Sequence, residues 1–307
     1  MKYKANYLSN VKADCQLRLI TQNVANFITG CVKGNYDIVD LTWFDKFNFK
    51  NHIFDGDFIV ALDVVDPPYF LPDKIRWMKS IKKPVYFVGP VIKDFPFPII
   101  PFFAWLRFRQ QKYHVKQSRD NFFVSFNRKP HFHRLKYYDA IKKFPDLLDF
   151  GYCSFFEIEP KHEIASLELD KDIVKYQNMC QQVDEKQIHS AFEIVCESSA
   201  SSDWGFLTEK FVKCIATETP LILLGDYNIL NTLKNYYGFT NFGPDDSYDS
   251  EINLEQRIIK LLNISSNFFS YSLDKVYDNA KRNAEHLFTN FDNIHDQYVY
   301  KALSCIR

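Results

Sequence analysis

Short, mainly apolar runs recur along the chain, and segments with helical spacing separate them. Runs rich in β-branched and aromatic residues predict strands, because a strand of a parallel sheet is buried on both faces. Apolar residues three and four positions apart predict helices. The predicted strands are 1–8, 36–41, 58–65, 85–88, 122–126, 192–196 and 221–224. The predicted helices are 17–32, 72–80, 133–144, 227–236, 254–262, 270–287 and 294–303. This alternation indicates an α/β fold with parallel sheets.

The stretch 192–226 contains the most informative pattern. Its first strand ends at Cys196-Glu197-Ser198-Ser199, a small polar loop follows, and a helical segment begins near Phe206. A second apolar strand is closed by Gly225. Strand, loop, helix and strand form a βαβ unit, and open parallel sheets bind ligands outside the carboxyl ends of their strands. The polar residues between the first strand and the helix are therefore expected to lie at a binding site.

Glu209 and Lys210 are adjacent at the predicted start of this helix. Free N–H groups and the positive end of the helix dipole favour phosphate there, and a lysine adds a full charge. A carboxylate beside them can accept hydrogen bonds from the vicinal hydroxyls of a ribose. Such a site suits a nucleotide. The alternative interpretation is a helix cap at Thr208 followed by a solvated Glu–Lys pair.

Three motifs in this stretch together resemble the donor-binding region of the α1,3-fucosyltransferase family. They are Cys196-Glu197-Ser198-Ser199, Phe206-Leu207-Thr208-Glu209-Lys210 and Pro220-Leu221-Ile222-Leu223-Leu224-Gly225. The family has Phe-Glu-Asn-Ser, a short loop, Tyr-x-Thr-Glu-Lys, and then a Val-Pro-Val-type strand. This chain differs from that pattern at Ser198, at Phe206 and in a slightly longer loop. The close match covers about a tenth of the chain.

The resemblance implies two Rossmann-like domains that face each other across a cleft, the architecture called GT-B. Residues 1–118 are expected to form the acceptor-side domain, and residues 119–290 the domain that binds the nucleotide-sugar donor. Residues 291–307 are expected to form a C-terminal helix that packs back on the first domain.

The resemblance also suggests roles for individual residues. Lys210 and Arg128 are expected to stabilise charge on the departing diphosphate, and Glu209 to anchor ribose. If the reaction inverts the anomeric centre, a base from the first domain should deprotonate the acceptor, and because that predicted domain contains no glutamate, the base has to be an aspartate or a histidine. We select Asp63 or Asp66, which lie at the carboxyl end of a predicted strand. The remaining predicted donor-binding residues are Asn127, Glu197, Ser198, Phe206 and Thr208.

Two other patterns contain residues that bind metals in some proteins. Asp55-Gly56-Asp57 resembles a pair of carboxylates for Mg²⁺ or Mn²⁺, but Gly and Asp before an apolar run also form an ordinary turn. His131-x-His133 lacks a nearby carboxylate in sequence to complete a metal site. We therefore predict a turn and no bound metal or other cofactor, with the nucleotide-sugar as co-substrate.

The zero net charge of the chain conceals an asymmetry between its two halves. Residues 1–150 contain 24 Lys and Arg against 14 Asp, and the rest contains 14 Lys and Arg against 24 acidic residues. A basic first half attracts anionic partners, so a nucleic-acid acceptor remains an alternative to a glycan. The other interpretations are that the basic face complements the acidic half or gathers the anionic donor.

Composition also sets expectations about the cellular compartment. The seven cysteines form no Cys-x-x-Cys pair, and an odd number suggests reduced thiols. The longest apolar run, 95–108, is interrupted by prolines and Arg107 and is too short to span a bilayer. The chain opens without a charged and then apolar leader. These features predict a cytoplasmic protein without a transmembrane segment; the oligomeric state stays open.

The sequence therefore predicts a metal-independent, fucosyltransferase-like glycosyltransferase that moves a sugar from a nucleotide-sugar to an acceptor hydroxyl, with a glycan as the expected acceptor. The resemblance alone favours GDP as the nucleotide. Two alternatives remain open: a glycosyltransferase that acts on a modified base in DNA, and a nucleotide-binding module without catalytic activity.

Overall fold

The computed structural model describes residues 4–8, 16–42, 52–64, 71–90, 92, 94–109, 119–120, 122–127, 131–155, 185–200, 205–304 and 306. The chain divides into two compact units. The first comprises Met1–Phe108 together with Asn293–Arg307, and the second comprises Arg109–Asp292.

The first unit is built on a parallel sheet. Its strands are β1 (Lys4–Leu8), β2 (Asn35–Asp40), β3 (Phe58–Leu62), β4 (Val85–Gly89) and β5 (Ile99–Pro101), and they lie side by side in that order. Its helices are α1 (Gln16–Cys31), α2 (Leu71–Ser80) and α3 (Ala104–Arg107). Every residue of β3 is buried. That burial is the physical reason for the continuous apolar run in the sequence, since both faces of the strand are covered.

The turn before β3 closes the amino edge of this sheet. The N–H of Gly56 donates to Oδ2 of Asp37 at 2.8 Å, and the Nζ of Lys83 donates to the carbonyl oxygens of Phe54 and Gly56. A Cβ on Gly56 would come within 2.5 Å of the Tyr36 backbone, so only glycine fits here. Asp55-Gly56-Asp57 therefore forms a turn, at the edge of the sheet opposite the carboxyl ends of the strands.

The last helix of the chain, α11 (Phe291–Leu303), contributes its residues from Asn293 onward to the first unit. The N–H of Phe103 donates to Nε2 of His295 at 3.2 Å, and Arg107 forms an ion pair with Asp296 at 2.9 Å. These contacts join the end of the chain to the segment after β5.

The second unit contains a four-stranded parallel sheet. Its strands are β6 (Phe123–Asn127), β7 (Gly151–Phe155), β8 (Phe192–Cys196) and β9 (Leu221–Leu224). Between the strands lie α4 (Phe132–Ile141), α5 (Pro145–Leu148), α6 (Glu185–His189) and α7 (Glu209–Ala216). After the sheet come α8 (Ile229–Tyr237), α9 (Leu254–Ser266), α10 (Leu273–Thr289) and two short 3₁₀ segments, Ser247–Ser250 and Phe268–Ser270.

The order of these strands across the sheet is β7-β6-β8-β9. The chain thus adds β7 on one side of β6 and then returns to add β8 and β9 on the other. Such a reversal is a topological switch point, where the loops that follow two neighbouring strands diverge and leave a crevice. In this sheet the crevice lies at the carboxyl ends of β6 and β8.

The two parallel sheets, each with helices between its strands, confirm the predicted α/β class with two Rossmann-like units. Within the described part of the chain, every helix is too short or too polar to cross a membrane.

Candidate functional site

Asn127 ends β6 at the switch point and is almost completely buried. Its Nδ2 donates to Oγ of Ser125 at 3.1 Å, whereas its Oδ1 has no hydrogen-bond partner among the described residues. The pairing of β6 with β8 joins Phe123 to Phe192 and Val124 to Glu193, so Asn127 lies beyond the part of β6 that pairs with β8, although it still pairs with Phe155 of β7. Leaving a buried acceptor without a partner is costly, so a group that donates a hydrogen bond to this oxygen would be favoured.

Two side chains from the first turn of α4 bind the end of β8. His133 donates from Nε2 to the carbonyl oxygen of Glu197 at 2.8 Å. Arg134 donates from Nη2 to the carbonyl oxygens of Cys196 and Glu197, both at 2.9 Å. These bonds satisfy carbonyl groups that β6 does not reach, and they fix the carboxyl end of β8 against α4.

The imidazole of His133 is neutral near pH 7. Its pKa is lowered to about 4: burial is the largest cause, the hydrogen bond to the carbonyl of Glu197 opposes it, and the charge interactions with Arg134, His131 and Arg257 add to the lowering. Because Nε2 donates to a carbonyl oxygen, Nδ1 of the neutral ring is an acceptor.

Glu197 follows β8 directly, and its side chain is fully buried. Oε1 accepts the N–H of Thr208 at 2.9 Å, and Oε2 accepts the hydroxyl of Thr208 at 2.5 Å and the N–H of Ser198 at 3.3 Å. Burial raises the pKa of Glu197, against the opposing effects of Lys210 and the bonds from Thr208. The carboxylate of Glu197 thus ties the end of β8 to the start of α7.

Helix α7 begins at Glu209, and Thr208 is its N-cap. The Oγ1 of Thr208 accepts the N–H of Lys210 at 3.4 Å and also the ammonium group of Lys210 at 3.2 Å. The Nζ of Lys210 lies 3.3 Å from Oε1 of Glu209, and both side chains are about one quarter exposed. Cap, carboxylate and ammonium group therefore form one connected network at the amino end of the helix.

The electrostatics of this network favour an ionised Glu209. Burial raises its pKa, but Lys210, Lys213 and hydrogen bonds to the carboxylate outweigh that effect, so the pKa lies below its usual value. The structure thus presents one carboxylate and one ammonium group, both partly accessible, at the end of a helix where the dipole favours an anion.

Phe206 lies in the loop before α7, and its ring is buried. Its backbone N–H donates to Oδ2 of Asp226 at 3.1 Å, and Oδ1 of Asp226 accepts the hydroxyl of Ser199 at 2.7 Å. On the same loop, Nη2 of the buried Arg257 donates to the carbonyl oxygen of Ala200 at 3.0 Å.

The predicted base Asp63 lies directly after β3, in the first unit. It is buried, and its carboxylate forms an ion pair with Lys74 of α2 at 2.6 Å. Asp66 and Arg128, the other predicted base and the predicted phosphate ligand, lie outside the described residues.

The patterns with metal-binding residue types form no metal cluster in the described residues. The rings of His131 and His133 stack, with centroids 5.9 Å apart, and His133 is bound to the carbonyl of Glu197.

His133 and Arg134 belong to a basic cluster with Asn127 and Arg128 that the sequence marks as a candidate site, whereas the sequence predicts no site role for Asp226 or Arg257. For Asp226 a signal exists: it follows an apolar strand and a glycine, as Asp63 follows another strand. For Arg257 no such signal exists, because a cation in a helical segment is indistinguishable from a surface residue until the helix is packed.

No protein-family model matches this chain, and no curated protein matches it. Among solved structures, a crystal structure of an α1,3-fucosyltransferase with GDP is similar to it. The two share 13% sequence identity, and the alignment covers 99% of this chain and 91% of that chain with a TM-score of 0.43. The similarity is a distant one, at the level of the fold.

Proposed function

We propose that this chain binds a nucleotide-sugar and transfers the sugar to an acceptor hydroxyl. The observation that carries the proposal is the network of Glu197, Thr208, Glu209 and Lys210 at the amino end of α7. This network follows β8, one of the two strands that flank the switch point of the second sheet. Open α/β sheets bind ligands at this position.

Lys210 is proposed to bind the diphosphate. Its ammonium group donates to the hydroxyl oxygen of Thr208 at 3.2 Å and to a carboxylate oxygen of Glu209 at 3.3 Å. A phosphate oxygen offers a stronger, charge-assisted bond, and the dipole of α7 adds to it. As the bond from the sugar to the diphosphate breaks, negative charge grows on the diphosphate, and a fixed cation stabilises it.

Glu209 is proposed to bind the ribose through its two hydroxyls. The carboxylate is ionised and is about one fifth exposed, so it can accept hydrogen bonds from a ligand. The partnerless Oδ1 of Asn127 supplies a further acceptor on the other side of the switch point.

In the transfer step, the acceptor oxygen bonds to the anomeric carbon and the bond from that carbon to the diphosphate breaks. A base takes the proton of the acceptor hydroxyl, and the products are the glycosylated acceptor and a nucleoside diphosphate. Asp63 and Asp66 are the proposed bases. The assignment is tested by comparing Asp63→Asn with Asp66→Asn: the variant that lacks the base should lose turnover and keep nucleotide affinity.

Thermal-shift titration with GDP, UDP, ADP and CMP is the first test of the proposal. At least one nucleoside diphosphate should raise the midpoint of unfolding in a concentration-dependent way, because a ligand that binds only the folded state stabilises it. The matching nucleotide-sugar should then release the nucleoside diphosphate in the presence of an acceptor. No stabilisation by any of the four nucleotides would contradict the proposal.

The proposed reaction uses fixed cations in place of a metal. Activity should therefore survive chelation by EDTA. Complete loss on chelation, with recovery on addition of Mg²⁺ or Mn²⁺, would contradict this part of the proposal.

A nucleotide-binding module without catalytic activity is the second candidate. One observation favours it: the carboxylate of Asp63 is buried in an ion pair with Lys74. Tight nucleotide binding without release of nucleoside diphosphate from any nucleotide-sugar would support the module over the enzyme.

A further inference from the structure

The loop that joins β8 to α7 has no regular backbone structure in its described parts. Residues 197–200 and 205–208 belong to neither helix nor strand. Buried backbone groups in such a segment need side-chain partners, because no ladder of strand or helix bonds satisfies them. The partners that hold this loop therefore decide where its two ends, Glu197 and Thr208, are placed.

Asp226 holds the loop at two points that are seven residues apart in sequence. Asp226 lies two residues after the end of β9, in the segment that leads to α8, and is 1% exposed. Its Oδ1 accepts the hydroxyl of Ser199 at 2.7 Å, and its Oδ2 accepts the N–H of Phe206 at 3.1 Å. Each oxygen of one buried carboxylate thus binds a different limb of the loop.

Arg257 of α9 is a buried cation that binds the same loop. Its Nη2 donates to the carbonyl oxygen of Ala200 at 3.0 Å, one residue after Ser199. Burial lowers the pKa of Arg257, and the nearby carboxylates of Asp249 and Asp226 act against that effect. The loop is therefore fixed by a buried anion and a buried cation from two separate elements.

From this geometry we propose that Asp226 is a positioning residue for the nucleotide site. It holds both limbs of the β8–α7 loop so that Glu209 and Lys210 are presented in one fixed arrangement. The proposal rests on the proposed function for its ligand. It goes beyond that function because it assigns to Asp226 a role in positioning the loop, through Ser199 and Phe206. Preorganisation of this kind matters because a displacement of about 1 Å at a binding site lowers activity by up to about 100-fold.

Asp226→Asn tests the proposal with little change of volume. The amide keeps one acceptor oxygen and replaces the other with an NH₂ group, which donates and does not accept. The hydroxyl of Ser199 can accept a hydrogen bond from this NH₂ group, so both limbs can keep a partner, but the bond from the N–H of Phe206 then goes to a neutral amide oxygen and is about half as strong.

Asp246→Asn is the matched control. Asp246 is a buried aspartate of the same unit, 3% exposed, and it accepts the N–H groups of Phe242 and Gly243 at 3.0 and 3.1 Å. Both variants remove one acceptor from a buried carboxylate that binds main-chain N–H groups. Of these two carboxylates only Asp226 binds the β8–α7 loop. Asp246 also forms an ion pair with Lys234 at 3.3 Å, so Asp246→Asn should cost at least as much general stability while it leaves the loop bonds in place.

Amide hydrogen exchange without ligand is the first measurement. The N–H of Phe206 should exchange at least about ten-fold faster in Asp226→Asn than in the wild type, and at the wild-type rate in Asp246→Asn once global stability is matched. Equal exchange at Phe206 in the two variants would overturn the proposal. This measurement needs no nucleotide, so it decides the positioning role even if the wild type binds none of them and the proposed function fails.

Calorimetric titration with GDP is the second measurement. Affinity should fall about ten-fold or more in Asp226→Asn and stay at the wild-type value in Asp246→Asn. Ser199→Ala should reproduce part of the loss, and Ser199→Thr, which keeps the hydroxyl, should restore it. Equal affinity losses in the two aspartate variants, in proportion to their loss of stability, would show a purely structural role and overturn the proposal.

Discussion

At the scale of single residues, the proposed site depends on two side chains that differ in charge and share one helix end. Glu209→Ala and Lys210→Ala should each lower nucleotide affinity about ten- to a hundred-fold, since a charge-assisted hydrogen bond contributes about 1.5–3 kcal/mol. Both side chains are partly exposed, so the fold should tolerate either change. Calorimetric titration with the nucleotide that stabilises the wild type measures the effect.

Lys260→Ala is the control for these variants. Lys260 lies on the surface of the same unit, where it pairs with Glu251 at 2.6 Å, and it is about half exposed. The Lys260→Ala substitution removes one positive charge and leaves α7 unchanged. Wild-type affinity in Glu209→Ala and Lys210→Ala would exclude this helix end as the nucleotide site.

His133 should make the second unit sensitive to acid. The unfolded chain protonates this residue near pH 6.5, whereas the folded chain does so only near pH 4. Between these values the unfolded state binds more protons, so the contribution of His133 to stability is complete above pH 6.5 and is lost as the pH falls towards 4. A shift of this size corresponds to about 3 kcal/mol.

His133→Gln removes this titration and keeps a donor for the Glu197 carbonyl. The difference in unfolding free energy between the variant and the wild type should change by about 3 kcal/mol, in favour of the variant, between pH 7.5 and pH 4. Urea unfolding at several pH values measures it. Parallel stability curves for the two proteins would show that His133 is not the group responsible.

The sequence predicts the site role of some of these residues and not of others. Thr208, Glu209 and Lys210 form a local signal, because a cap and the first turn of a helix are contiguous in sequence. The role of Glu197 in binding Thr208 is not contained in that signal, nor is the role of Asp226 in binding Ser199 and Phe206. Which donor meets a buried carboxylate depends on the packing of distant segments.

At the scale of secondary structure elements, the N-cap of α7 links the helix to the site. Thr208→Ala removes a hydroxyl that donates to Glu197 and accepts from Lys210. Loss of an N-cap costs about 1 kcal/mol of stability. The buried oxygen of Glu197 also loses the hydroxyl that donates to it, which costs about 1–3 kcal/mol more. Urea unfolding should show a total loss of about 2–4 kcal/mol.

Thr208→Ser is the matched variant, since it keeps the hydroxyl and deletes only a methyl group. It should recover most of the stability lost in Thr208→Ala. If the serine variant is as unstable as the alanine variant, the methyl group and its packing explain the effect, and the cap does not.

The elements themselves were predicted unevenly, for a physical reason. β3 and β9 are continuous apolar runs in sequence because both of their faces are buried. β8 and β4 are nearly so: the buried Glu193 interrupts β8, and Tyr86 of β4 is partly exposed. The sequence does not predict β7 (Gly-Tyr-Cys-Ser-Phe), because a glycine and a serine interrupt its apolar pattern. The order of the strands was also beyond prediction, since it depends on pairings between segments far apart in the chain.

At the scale of the whole molecule, the uneven distribution of charge bears on the acceptor. A nucleic-acid acceptor would bind the basic first half of the chain, and counterion release would make that binding fall with salt, with a slope near −0.9 per phosphate contact. A neutral glycan would show no such dependence. Gel-shift titration of duplex DNA at increasing salt distinguishes them, and absence of binding at the lowest salt concentration would leave a glycan as the better acceptor.

The arrangement of strands around the switch point also has a kinetic consequence. β8, α7 and β9 are contiguous in sequence, so this part of the sheet can assemble from local contacts. β6 reaches β8 only by closing a loop of about 70 residues, between Val124 and Glu193. Closure of long loops delays folding, so the two halves of the crevice are expected to form at different times. During refolding, we expect Glu209 and Lys210 to reach their native positions before β6 pairs with β8 and brings Asn127 to the site. The rate at which nucleotide binding is recovered should therefore equal the rate of this late pairing.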